Sequence, residues 1–204
     1  MTEAERKDTP EQAEFRAHCQ TWLENNHPGT PPVHIPQGAL ELSDPAAMDW
    51  LKTWQKSAYD AGLIGCDYPA ACGGGGQEGF QAIANQEMMQ AKTPYLPNII
   101  GMGMAAPTIL FHAQDEVKAE LLPRLLSGED IWCQGFSEPD AGSDLASLTT
   151  RAQIRGDELV ITGQKVWTSK AHYANRIYLL ARTDPHTEPR NGISYILADL
   201  DTDG

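Results

Sequence analysis

A change of hydrophobic period near Gly128 constrains this chain more than any other feature: apolar residues recur at helical spacing before it and alternate after it. A first helix is signalled by Asp8 or Thr9 as cap, Pro10 in the first turn, and Phe15, Cys19, Trp22 and Leu23 on one stripe, ending near Asn26. Pro28, Pro31, Pro32 and Pro36 then predict an extended connection. A second helix begins at Ser43 or Asp44 with Pro45, and carries Ala47, Leu51, Trp54 and Ala58 on one face to about Ala61. Helical patterns resume over 80–91, 98–112 and 115–126, with Pro123 predicted to kink or end the last. From Leu148 the pattern alternates: Leu148, Thr150, Ala152 and Ile154 on one face, Thr149, Arg151, Gln153 and Arg155 on the other. Gly156-Asp157 turns this strand, Leu159 to Ile161 begin the return, and 177–182 and 193–200 add two β-rich runs.

These patterns predict an α+β chain, with an all-helical domain over 1–128 followed by part of an antiparallel β domain over 129–204. The sequence stops just after a strand, so a segment covering the sheet is expected to be missing.

Charge narrows the partners. Fifteen Lys and Arg against 28 Asp and Glu give −13, which disfavours nucleic acid and anionic lipid surfaces. The N-terminus lacks the apolar core of a signal peptide and no stretch approaches a membrane span, so a soluble cytoplasmic protein is expected. Cys19, Cys66, Cys72 and Cys133 form no C-x-x-C pair, and His112 and His172 have no second ligand at useful spacing, so no metal site is expected. Gly73 to Gly76 suggest a phosphate cradle at first sight. No Gly-Lys-Ser/Thr follows them, so they read as a tight surface connection.

Two segments carry candidate chemistry. In WCQGFSEPDAGSDLASL (132–148), Pro139 and Gly142 favour a sharply turning backbone that aims N–H groups at an anion or a carbonyl-rich ring, and Ser137 and Ser143 add hydroxyls. In GQKVWTSKAHYAN (163–175), Trp167 offers a flat aromatic face beside the hydroxyls of Thr168 and Ser169, a surface suited to a polar heterocycle. Chemistry alone leaves a plainer alternative open, in which Trp167 fills a sheet core and the hydroxyls decorate a strand end.

The order of CQGFSEPDAGSD, a hairpin, ITGQKVWTS and GISYILAD, with IIGMGMAAPTIL and LLPRLLSGE upstream, resembles acyl-CoA dehydrogenases over nearly the whole chain. The resemblance implies FAD as cofactor, with Gln134, Phe136 and Ser137 at the flavin's pyrimidine side. It further implies Gly142 and Ser143 at the pyrophosphate and acyl-CoA entrance, Ser143 touching substrate. Trp167 would pack on the flavin, with Thr168 and Ser169 near its O4 and N5 edge. The implied reaction is α,β-dehydrogenation of an acyl-CoA to a trans-2-enoyl-CoA. An electron-transfer flavoprotein or similar acceptor and a homo-oligomer or complementary C-terminal chain are the implied partners. The family's catalytic glutamate belongs to a C-terminal helical bundle, and no residue here aligns with it. Glu138 reads as a structural carboxylate, so no catalytic residue is assigned and the chain alone is expected to be inactive. Glu87, Met88 and Met89 on one predicted helix and Met102 and Met104 on the next fall where the family lines its acyl pocket, although helical methionines commonly serve as core filler. Two departures stand out: Asp140 where glycine is common, and a CGGGGQEG loop without its preceding aromatic residue. An acyl-CoA oxidase, a flavin monooxygenase of the same superfamily and a non-catalytic interaction subunit remain alternatives.

Overall fold

The structure is a computed structural model describing residues 8–202. The chain divides into two compact units, residues up to 99 with 106–129, and residues 100–105 with 130 onwards.

The first unit is helical. Helix α1 (Pro10–Asn26) starts at Thr9, whose hydroxyl accepts from the Gln12 N–H at 3.2 Å while the Gln12 side chain accepts from the Thr9 N–H at 2.9 Å. This reciprocal cap satisfies two donors that the helix cannot. Asp44 caps α2 (Pro45–Asp60) by a one-way bond, accepting from the Ala46 N–H at 2.8 Å. The predicted stripe of Ala47, Leu51, Trp54 and Ala58 is buried, and Trp22 of α1 stacks on Trp54 with ring centroids 5.8 Å apart. Helix α3 (Phe80–Gln90) meets α1 through Phe15 and Phe80, and through buried Glu87, which accepts from Arg16 at 2.5 Å and Gln20 at 3.0 Å.

The glycine run is the predicted tight connection. A Cβ on Gly74 would sit 2.2 Å from the Tyr68 carbonyl oxygen, so only glycine lets these two backbone stretches approach.

Over 98–112 the pattern predicts one helix. A π turn, Gly101–Ala105, precedes α4 (Ala106–His112). Pro107 has no N–H to donate to the carbonyl four residues back, which removes one rung of a regular ladder. Helix α5 (Asp115–Ser127) runs through Pro123 and does not end there. The carbonyl that Pro123 leaves without its usual donor belongs to exposed Ala119, where water can satisfy it. At the other end, buried Gln55 and Asn98 donate to the carbonyls of Leu126 and Leu125 at 2.9 and 2.8 Å, completing the helix terminus.

The second unit is built on five strands: β1 (Trp132–Gly135), β2 (Arg151–Arg155), β3 (Glu158–Thr162), β4 (Arg176–Arg182) and β5 (Ile193–Asp199). The pairs β2–β3 and β4–β5 are antiparallel as predicted, but β4 also pairs in parallel with β1 and, at Arg182, with β2, so the sheet is mixed. Alternation could not reveal β1: nearly every residue in it is buried, and a strand covered on both faces has no polar period. With β5 on one edge of β4, strands β1 and β2 share the other, and residues 136–150 form an excursion between two strands lying in line. The core gathers Ala152, Leu179 and Ala181 with Ile177, Ile196 and Ala198. Leu148, Thr150 and Ala152 are buried as their alternation predicts, whereas Ile154, next on that face, is 81% exposed because the hairpin extends past the covered core.

Candidate functional site

The excursion between β1 and β2 is held by its own carboxylate. Buried Glu138 accepts from the backbone N–H of Thr149 at 2.6 Å and of Thr150 at 2.9 Å, from the Thr149 hydroxyl at 2.8 Å, and from the Lys165 ammonium at 2.8 Å. Lys165 also donates to the Phe136 carbonyl at 3.1 Å. Burial by itself would raise the Glu138 pKa, but Lys165 and the threonine donors outweigh it and hold the carboxyl well below the usual carboxylate range. Glu138 is thus a permanently ionised clasp, with its oxygens committed to the loop.

The same contacts join the two sequence motifs. The Val166 N–H donates to the Ser137 carbonyl at 2.9 Å, laying the 163–169 segment beside the start of the excursion. Phe136 is half-buried and meets Tyr178 edge-on at 5.7 Å; Tyr178 stacks on Tyr195 and donates to the Met104 sulfur at 3.0 Å. Gln134 is half-buried on β1, in register with Tyr178. Ser137 and Thr168 are half-buried and Ser169 is exposed.

Trp167 does not fill a sheet core. It is 90% exposed and has left-handed backbone, φ +57°. A bulky residue in that region costs about 1–3 kcal/mol and persists only where its surroundings dictate it. Three residues on, Lys170 is also left-handed, at φ +66°, yet only 3% exposed. Its carbonyl accepts from the N–H groups of Tyr173 and Ala174, fixing the turn, and burial lowers its ammonium pKa to about 8. Trp167 outward and Lys170 inward bracket the Thr168 and Ser169 hydroxyls on a constrained backbone.

Gly142 and Ser143 occupy the exposed crest of the excursion, where a Cβ on Gly142 would meet nothing within 4 Å. A cavity of about 610 Å³ adjoins them, walled by the turn from Asp144 to Ser147 and by residues 188–191 of the β4–β5 loop. Of the methionines, Met88 is buried, while Met89 and Met104 are exposed, so the last two are not core filler. Among the described residues no group of three or more His, Cys, Asp or Glu is placed to hold a metal ion, and no helix is long and apolar enough to cross a membrane. The four cysteines are free and buried, and burial pushes the thiols of Cys19 and Cys133 up to about 11 and that of Cys66 to about 12.

Sequence reasoning assigned no role to Lys165, Tyr178 or Arg182. Lys165 lies inside the quoted GQKVWTS motif, but its partner Glu138 stands 27 residues away and meets it only once the β2–β3 hairpin has formed.

The model of the acyl-CoA dehydrogenase N-terminal domain matches residues 9–129, and that of the acyl-CoA dehydrogenase middle domain matches 133–204. The chain is 36% identical over 197 residues to the acyl-CoA dehydrogenase IpdE1 of Mycobacterium tuberculosis, covering 94% of this chain and 50% of that protein. Among solved structures it resembles the ChsE4-ChsE5 complex from the same organism, at TM-score 0.71 and 30% identity, over 98% of this chain and 49% of the other. It also resembles the Tcur3481-Tcur3483 steroid ACAD, at TM-score 0.70 and 31% identity, over 97% and 50%. The chain spans about half the length of these relatives.

Proposed function

The chain belongs to the acyl-CoA dehydrogenase family, and from that premise we propose that its β unit supplies one wall of an FAD site used to oxidise an acyl-CoA thioester between its α and β carbons. The observation that carries this reading is the junction of the two motifs: Val166 bonded to Ser137, Lys165 to Phe136 and Glu138, and Trp167 held outward on strained backbone.

The donor set suits a flavin. Trp167 offers a bare aromatic face, Thr168 and Ser169 offer hydroxyls beside it, and Gln134, Phe136 and Ser137 bring side-chain and backbone polar groups from the adjoining strand end. When bound, FAD supplies the acceptor for the hydride removed from the substrate. The chain's own contribution is placement: Glu138 and Lys165 fix the loop, the Trp167 indole would pack on the flavin, and the hydroxyl of Ser169 would be available to stabilise developing charge. Gly142 and Ser143, next in sequence to the cavity wall at Asp144, would lie at the pyrophosphate and acyl-CoA entrance.

Glu138 is not the base in this reading, because a carboxylate bonded to Lys165 and two backbone amides has no basicity to spare. We place the base on a polypeptide segment outside residues 8–202. The two-protein ChsE4-ChsE5 complex among the similar structures supports completion of the site by a second chain, and the steroid ACAD supports a bulky acyl group. The electron acceptor in this scheme is an electron-transfer flavoprotein or its equivalent.

The test is FAD retention in the assembled protein with Trp167→Ala. Weaker retention, by about tenfold, with an altered flavin absorption spectrum is expected from loss of the indole contact. An unchanged affinity and spectrum removes Trp167 from the cofactor site.

A further inference from the structure

The last residue of β4 makes contacts that neither its strand pairing nor the cofactor reading requires. Arg182 donates through Nη2 to the carbonyls of Ala146 at 2.8 Å and Leu148 at 3.2 Å, and through Nη1 to the carbonyl of Pro189 at 3.0 Å. The first two acceptors belong to the turn that follows Ser143, and the third to the β4–β5 loop. These are the two walls of the 610 Å³ cavity. The backbone of Arg182 is itself fixed, its N–H donating to the Thr150 carbonyl at 2.7 Å where β2 joins the sheet. A guanidinium is a planar fork of five donors that can satisfy carbonyls on two sides at once in a fixed geometry; an ammonium has three donors on a flexible stem, and a thioether has none.

We propose that Arg182 is a positioning residue for acyl-CoA recognition, its guanidinium holding the Ser143-bearing turn and the β4–β5 loop at a fixed separation and so setting the width of the cavity between them. The other anchors of each wall are local. The Ser147 hydroxyl donates to the Asp144 carbonyl at 2.8 Å, and the N–H groups of Thr183 and Asp184 donate to the Gly192 carbonyl at 2.9 and 3.2 Å, closing the base of the loop. Those bonds shape each wall separately, whereas Arg182 bonds to both. The role rests on the proposed acyl-CoA reading of the cavity.

The experiment compares wild type, Arg182→Met and Arg182→Lys in the assembled protein. Hydrogen exchange is followed at the amides of 144–148 and 187–191, and the affinities for coenzyme A and for FAD are measured by calorimetry. Arg182→Met is expected to raise exchange in both segments together and to weaken coenzyme A about tenfold, with FAD, whose pyrophosphate the Ser143-bearing turn would also adjoin, weakened by a smaller factor; Arg182→Lys falls between. Unchanged exchange, or a change in one segment only, overturns the clasp. Coenzyme A and FAD affinities falling by the same factor also overturn it, since that marks a general lesion of the unit. If the methionine variant does not fold, the lysine variant carries the same comparison. Wild type that binds no coenzyme A sinks the acyl-CoA reading itself, whereas wild type that binds it with Arg182→Met equally tight sinks only this role.

Discussion

Each unit buries a carboxylate against a cation, and the two pairs work differently. In the helical unit Glu87 is bonded only by side chains, Arg16 and Gln20, and so links α3 to α1, two elements that already form from local signals. In the strand unit Glu138 grips backbone N–H groups 11 and 12 residues further on, as well as Lys165, and so shapes a segment whose own backbone bonds are limited to a short 3-10 turn and an isolated bridge. Helices satisfy their own backbone, and a polar pair between them adds specificity. A long loop cannot, and its polar clasp stands in for the missing ladder.

The largest effect that would break this contrast comes from a pair of charge-neutralising substitutions. Glu138→Gln leaves the Lys165 ammonium without its carboxylate in a buried setting and is expected to cost about 3–5 kcal/mol in denaturant unfolding. Glu87→Gln is expected to cost about 1–2 kcal/mol, because Arg16 keeps Asp8, bonded at 2.6 and 3.0 Å. Equal losses would mean that the two carboxylates play the same part.

The glycines sharpen it next. Gly74→Ala places a methyl 2.2 Å from the Tyr68 carbonyl oxygen and should cost about 1–3 kcal/mol. Gly142→Ala meets open space, and the melting temperature should stay within the small change typical of exposed sites, about 0.5 kcal/mol in either direction. A large stability loss at Gly142 would show that the crest is packed and not poised for a ligand.

A pH signature of Lys170 tests the strand unit separately. Its folded pKa, lowered to about 8 from 10.5, means that the unfolded chain binds more protons between those values, so this residue makes stability rise with pH through that window. Cys19, Cys66 and Cys133 act oppositely, since their raised folded pKa values make stability fall above their ordinary value of 9.0. The difference between wild type and Lys170→Met isolates the lysine: the rise should vanish in the variant, and its persistence would assign the effect elsewhere.

Much of the fold was legible because its causes are local. Thr9, Pro10 and Gln12 start α1 within one turn, Asp44 and Pro45 do the same for α2, and a stripe such as Ala47, Leu51, Trp54 and Ala58 carries its own periodicity. The β2–β3 hairpin was equally readable, since Gly156-Asp157 and the flanking alternation fix it over a dozen residues. Where alternation failed, burial was decided elsewhere in the chain: β1 has no period because it is covered on both faces, and Ile154 keeps the period but has no core above it.

The sequence by itself determined most of the helices and the β2–β3 hairpin, and where the polar, turn-rich segments lie, because hydrogen bonding and apolar period act between near neighbours along the chain. Tertiary structure alone decided that Glu138 meets Lys165, that Trp167 stands outward while Lys170 turns inward, and that Arg182 spans the two walls of a cavity. Those contacts join residues up to 36 positions apart, and no local preference selects one distant partner over another until the sheet has brought the candidates together.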